Sequence, residues 1–223
     1  MAKSGDVTVF CDPTLAPAFR ALDGIGGIGV SPLCAPAKLM LAQITRRTRD
    51  DVLFTLSPAM DQAVAAGLVR PESRIGGFCN RLVLAGRAGR FTPPATPAAL
   101  LSLLAHASLA VTDATDAASF DGRAVLAANN LAAGQVQGAA NTGDVAFLVT
   151  AGAADLGLVY MTDVAAEPRL AVVATLIAPP AMTEYAGAVN ARAVSPNAGA
   201  LLACLRGPDG KARLRAAGLQ VSA

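Results

Sequence analysis

Val7-Thr8-Val9-Phe10-Cys11, then Asp12-Pro13-Thr14, then Leu15-Ala16-Pro17-Ala18-Phe19-Arg20-Ala21-Leu22, reads as a strand, a turn and a helix in quick succession. Unbroken β-branched and apolar residues over 7–11 predict a short strand buried on both faces. Asp-Pro-Thr turns the chain. Leu15, Phe19 and Leu22 recur at helical spacing, and Thr14 is placed to cap the helix they begin. A strand end that feeds a helix N-terminus within a few residues is one half of a βαβ unit.

The same unit recurs downstream. Gly24 to Gly29 is a loop, with a short strand at 28–30, and a helix begins at Pro36 with Leu39, Leu41 and Ile44 among its apolar positions. A strand at 52–56 leads into a helix at 58–66 that Gly67 closes. A strand at 82–85, a helix at 96–105 with Pro97 at its first position and a strand at 109–112 follow. The stretch 113–122 is polar and irregular. Helices are expected at 123–131 and at 144–150, the second capped by Asn141 or Thr142. Strands at 156–160, 170–176 and 185–189 precede closing helices at 196–205 and 208–217. Such alternation predicts an α/β fold with mainly parallel sheets.

Composition narrows the function. The 223 residues are 53% hydrophobic and 4% aromatic with no Trp, so the core is built from Ala, Val and Leu. A net charge of +2 gives no concentrated basic face for nucleic acid. Arg46, Arg47 and Arg49, followed by Asp50 and Asp51, read as a solvated helix end. No apolar run is long enough to span a bilayer. Met1 to Asp6 has no apolar leader core, so either a leader has been removed or the protein is cytoplasmic.

Catalytic and metal motifs are missing. Cys11, Cys34, Cys79 and Cys204 form no CxxC pair, so no zinc or thioredoxin-type site is expected. They read as buried thiols, with a Cys11–Cys34 disulfide as the open alternative, since both fall near the same expected cleft. Gly24-Ile25-Gly26-Gly27-Ile28-Gly29 fits GxGxxG, but a helix precedes it and a strand follows, the reverse of a dinucleotide site. His106, the sole histidine, sits in an apolar helical stretch with no nucleophile elbow around any Ser. No enzyme, metal or cofactor is expected. The informative places are the strand-to-helix junctions Asp12-Pro13-Thr14, Ala35-Pro36-Ala37 and Thr55-Leu56-Ser57. Ligands of open α/β sheets bind at the carboxyl ends of strands, and helix N-termini there favour anions.

At those junctions, and beyond them, the residues resemble the periplasmic molybdate-binding proteins. Val7-Thr8-Val9-Phe10 with Thr14-Leu15 looks like the family's opening strand and first helix. Lys38-Leu39, Ala42-Gln43-Ile44, Asp51-Val52-Leu53-Phe54 and Asn80-Arg81-Leu82-Val83-Leu84 continue the likeness. Asp144-Val145, Leu156-Gly157-Leu158-Val159-Tyr160, Thr162-Asp163, Val172-Val173-Ala174-Thr175, Glu184-Tyr185, Leu205-Arg206-Gly207-Pro208 and Ala217-Gly218-Leu219 follow in the family's order.

The resemblance implies a two-lobed α/β fold of the type II periplasmic-binding-protein kind. One lobe would take 1–81 plus 190–223 and the other 82–189, with crossover strands at Leu82 and Tyr185 as hinge. It implies a monomeric receptor of an ABC transporter that holds a tetrahedral oxyanion, molybdate or tungstate, in the inter-lobe cleft and hands it to a membrane permease. By position, the ligand donors would be the Thr14 hydroxyl, the Ala37 position, main-chain amides at Ala118 and Val145, and the Tyr160 hydroxyl.

This sequence departs from the family at two places. The Ser-rich turn before the second helix is replaced by Cys34-Ala35-Pro36-Ala37-Lys38, which removes a hydroxyl and an N–H donor. Asp12 stands where a small neutral residue is usual, and a carboxylate aimed at a dianion repels it. Cys11, Asp12, Cys34 and Lys38 therefore mark an alternative, the same fold with a diverged cleft for another small ligand. A cytoplasmic ligand-sensing module is a further alternative.

Overall fold

The computed structural model describes residues 6–35, 39, 42–44, 50–113, 120–177 and 182–222. The chain divides into two compact units, Met1–Cys79 with Glu184–Ala223, and Asn80–Thr183.

In the first unit, β1 (Val7–Cys11) lies between β2 (Val30–Cys34) and β3 (Val52–Leu56), parallel to both. On the other side of β3 lies β9 (Met182–Val189), antiparallel and in register from Leu56 opposite Tyr185 to Val52 opposite Val189. The alternation of β1 explains its central place. Val7, Val9 and Cys11 enter one core cluster with Phe19, Phe54 and Leu201, whereas Phe10 enters another with Leu53, Met60 and Ala186. A strand buried on both faces is what its unbroken apolar run requires. Phe54 holds the first cluster together, edge-on to Phe19 at 4.9 Å and to Phe78 at 5.0 Å. Helix α2 (Ser57–Ala65) follows β3 directly, with Pro58 in its first turn and Gly67 at φ +65° just past its end.

The expected cap of the first helix differs. Asp12, not Thr14, caps a 3-10 turn at Pro13–Leu15, and α1 follows as Ala16–Arg20. Asp50 and Asp51 do not end a solvated helix; they are 2% and 4% exposed. Asp51 accepts the amides of Thr8 at 3.0 Å, Val194 at 3.0 Å and Ser195 at 2.8 Å, tying β1 to the segment after β9. Asp50 accepts from the Asn190 side chain at 2.7 Å. Arg46, Arg47 and Arg49 lie outside the described residues.

Strand β4 (Ile75–Arg87) passes from the first unit into the second. There its second half pairs antiparallel with β7 (Leu156–Tyr160) and with β8 (Leu170–Thr175). Strand β5 (Ser108–Thr112) pairs parallel with β7 and with β6 (Gln135–Ala139). Both units therefore mix parallel and antiparallel pairs. Helix α3 (Pro97–His106) is capped by the Thr96 side chain, and α4 spans Gly122–Ala128. Helix α5 (Thr142–Ala151) packs closely on β7. A Cβ on Gly157 would lie 2.6 Å from Val145 and 2.8 Å from Val149, so only glycine admits the helix. Helix α6 (Met161–Ala166) starts directly from the end of β7. In the first unit, α7 (Ala198–Arg206) and α8 (Pro208–Ala216) lead to a two-residue strand, β10 (Gln220–Val221), on β4.

The glycine loop is a turn. Gly24, Gly26 and Gly27 have positive φ, and Ile25 and Ile28 bridge across it. His106 is exposed, with Nδ1 2.9 Å from the Ser102 carbonyl oxygen, an ordinary helix-end contact.

Candidate functional site

In the first unit, the carboxyl ends of β1 and β3 and the start of β9 gather a hydrogen-bonded hydroxyl chain. Asp12 Oδ1 accepts the Thr14 amide at 3.0 Å and the Thr14 hydroxyl at 2.8 Å. The Thr14 oxygen lies 3.0 Å from the Tyr185 hydroxyl. A threonine has one hydroxyl proton, and here it points to Asp12 Oδ1, so Tyr185 donates to Thr14. Asp12 is 5% exposed. Burial raises its pKa above the ordinary carboxylate range, and the two Thr14 hydrogen bonds oppose that rise.

Beside this chain, Cys11 and Cys34 face each other as in-register partners of β1 and β2, their sulfurs 3.6 Å apart. Both are free thiols, Cys11 buried and Cys34 exposed. The two thiols share this contact, and either sulfur can donate. That bond, with burial, holds Cys11 far above the usual thiol range, and the same bond lowers Cys34 to about 7, helped by the charge of Arg20.

In the second unit, Tyr160 ends β7 and begins α6. Its amide donates to Asp163 at 2.9 Å, and its hydroxyl lies 2.9 Å from that of Thr183. Its ring meets Phe120 edge-on at 5.6 Å. Thr162 Oγ1 accepts from the fully buried Asn80 side chain at 2.8 Å. The N-terminus of α5 is capped by Asn141, which accepts the Asp144 amide at 2.9 Å.

Among the residues expected from sequence, Cys11, Asp12, Thr14 and Cys34 lie together at one end of the first unit. Tyr160 and Val145 lie in the second, Tyr160 6% exposed and Val145 wholly buried. The Val145 amide donates to the Asn141 carbonyl at 3.1 Å inside the helix. At a helix start the amides of the first three residues, here Thr142, Gly143 and Asp144, have no main-chain acceptor one turn back, and the Asn141 side chain takes that of Asp144. Ala37, Lys38 and Ala118 lie outside the described residues. Sequence reasoning placed Tyr185 on a hinge strand and gave neither it nor Thr183 a role in the site. The register of β9 carries Tyr185 opposite Leu56, beside the strand ends that it had singled out. Among the described residues no group of three or more His, Cys, Asp or Glu could hold a metal ion, and no helix is long and apolar enough to cross a membrane.

Residues 7–220 match the bacterial extracellular solute-binding protein family. Among curated proteins, none matches. Solved structures share the fold. One, described as the substrate-binding domain of a molybdenum ABC transporter from Clostridium difficile, is 17% identical at a TM-score of 0.76, over 98% of this chain and 99% of that one. The periplasmic molybdate-binding protein of Azotobacter vinelandii is 19% identical at 0.73, over 97% and 100%. The sulfate-binding protein of Mycobacterium tuberculosis is 16% identical at 0.65, over 97% and 86%.

Proposed function

The chain belongs to the bacterial extracellular solute-binding protein family, and from that membership we propose that it is the receptor component of an ABC transporter. Its ligand in this reading is a small tetrahedral oxyanion, molybdate or tungstate, delivered to a membrane permease. The observation that supports it most is the likeness, over nearly the whole of both chains, to the molybdate-binding protein of Azotobacter vinelandii. The proposed donors are neutral: the Thr14 and Tyr160 hydroxyls, the Ala37 position, the main-chain amide of Ala118, and the first turn of α5 around Val145. Neutral donors suit a desolvated dianion, since each hydrogen bond to a charged group contributes about 1.5–3 kcal/mol.

The second reading is the same fold with a changed ligand. It is favoured by one observation, the commitment of the Thr14 proton to Asp12. An anion can claim that proton only in competition with a carboxylate. Isothermal calorimetry with molybdate, tungstate, sulfate and phosphate separates the two. Heat with molybdate or tungstate, and a raised melting temperature with the same ion, fits the first. No heat with any of the four excludes it and leaves the second.

A further inference from the structure

We propose that Cys11 and Cys34 form a redox-active dithiol site that a small-molecule disulfide oxidises to a cross-link between β1 and β2. Register carries the first part of the argument. The two residues are direct partners in a parallel pair, the adjacent-strand spacing of about 4.8 Å that lies within the range a disulfide spans between α-carbons. Their sulfurs are already in contact at 3.6 Å. Bond formation brings them to about 2.05 Å.

The second part is the division of labour between the thiols. Cys34 is exposed and Cys11 is completely buried. An oxidant therefore reaches Cys34 first. The thiolate forms more readily there as well, because the contact with Cys11 and the charge of Arg20 both favour it. The Cys34 thiolate attacks one sulfur of the oxidant, breaks its S–S bond and expels one thiolate, which takes up a proton. The product is a mixed disulfide on Cys34. Cys11, alongside, loses its proton, attacks the Cys34 sulfur and expels the second thiolate. The two protein thiols lose two electrons and two protons, and the oxidant leaves as two thiols. The sulfur contact joins Cys11 to Cys34, not to Cys79 or Cys204.

The site is distinct from the hydroxyl chain but adjacent to it, since Cys11 precedes Asp12 in sequence. Cross-linking would fix the end of β1 from which the Asp12-Thr14 turn leaves.

The test uses the whole chain incubated with oxidised glutathione, unfolded in acid, alkylated and analysed by mass. Two of the four cysteines should become unavailable to alkylation, and a Cys11–Cys34 cross-linked peptide should appear and be lost with dithiothreitol. Cys11→Ser should stop the reaction at a glutathione adduct on Cys34. Cys34→Ser should leave Cys11 unmodified. The wild-type chain alone keeps the test decisive if a variant fails to fold. Four alkylated cysteines, a stable glutathione adduct on wild-type Cys34, or a cross-link through Cys79 or Cys204 would each overturn the proposal.

Discussion

The Thr14 hydroxyl donates to the Asp12 carboxylate at 2.8 Å. The residue that the family resemblance marks as an anion donor is therefore held by an anion of the protein's own. The same carboxylate oxygen accepts the Thr14 amide at 3.0 Å, so Asp12 uses both donors of the residue. Sequence places them two positions apart, and Pro13 between them fixes the turn that closes the loop. An oxyanion at Thr14 has to displace or neutralise Asp12.

Replacing Asp12 by Asn keeps an acceptor for the Thr14 amide and removes the charge. If Thr14 binds an oxyanion, molybdate affinity rises in Asp12→Asn. Relief of about 1.4 kcal/mol of repulsion gives about tenfold in Kd. Calorimetry of the two proteins in one buffer measures it, with ligand protonation cancelling between them. An affinity unchanged or lowered in the variant rules out Thr14 as an anion donor.

The same pair of proteins reports the titration of Asp12. Burial raises its pKa in the folded chain, so between the ordinary carboxylate range and that raised value the folded state binds more protons than the unfolded state. Stability from this group then falls as pH rises through that window and stays lower above it. Asn carries no such loss. The stability of Asp12→Asn relative to wild type should increase from pH 4 toward neutrality, followed by urea denaturation. A difference constant with pH would contradict the raised pKa.

Asp51 is a different kind of carboxylate. It accepts three main-chain amides, and it is 4% exposed. In Asp51→Ala those donors lose their partner in a buried place, at about 1–3 kcal/mol for each group left unsatisfied. A loss of at least 3 kcal/mol is expected from chemical denaturation. Asp51→Asn offers a single acceptor oxygen and should recover part of it. A change below 1 kcal/mol in Asp51→Ala would show that solvent replaces the carboxylate.

How much of this was legible depends on how local the signal was. β1, β3 and β7 are unbroken apolar runs, and each forms where its run lies, at Val7–Cys11, Val52–Leu56 and Leu156–Tyr160. Thr96 with Pro97 marked the start of α3 because a side-chain cap and a proline act within one turn. β4 was read too short, since Gly76, Gly77 and Asn80 interrupt its apolar run; pairing with β10 and the burial of Asn80 set its true length. β6, with Gln135, Gln137 and Gly138, has little strand character and forms by pairing with β5. The helix expected at 123–131 ends at Ala128, where Asn129 turns its side chain back to the Val125 carbonyl. Asp50 and Asp51 looked like surface because charged pairs usually are; their partners come from distant parts of the chain, Thr8 on one side and Asn190, Val194 and Ser195 on the other. At the candidate site, Asp12 and Thr14 were visible together, but Tyr185 joins them from 171 positions away. Only the register of β9 brings it there.

The role of Tyr160 can be decided by separating affinity from stability. Its hydroxyl lies 2.9 Å from the Thr183 hydroxyl, and its ring packs edge-on against Phe120 within the core of the second unit. Tyr160→Phe keeps the ring and removes only the oxygen. If the hydroxyl serves structure alone, the variant loses about 1 kcal/mol of stability and nothing in ligand affinity. If it donates to a bound oxyanion, molybdate affinity falls by roughly ten- to a hundredfold as well, the worth of one hydrogen bond to a charged group. Thr183→Ala provides the control, because it removes the hydroxyl's neighbour and leaves the hydroxyl. An equal affinity loss in both variants would point to a disturbed site, whereas a loss confined to Tyr160→Phe assigns the donor to Tyr160. Equal affinities in wild type and Tyr160→Phe would remove Tyr160 from the ligand set and leave its hydroxyl as a partner of Thr183.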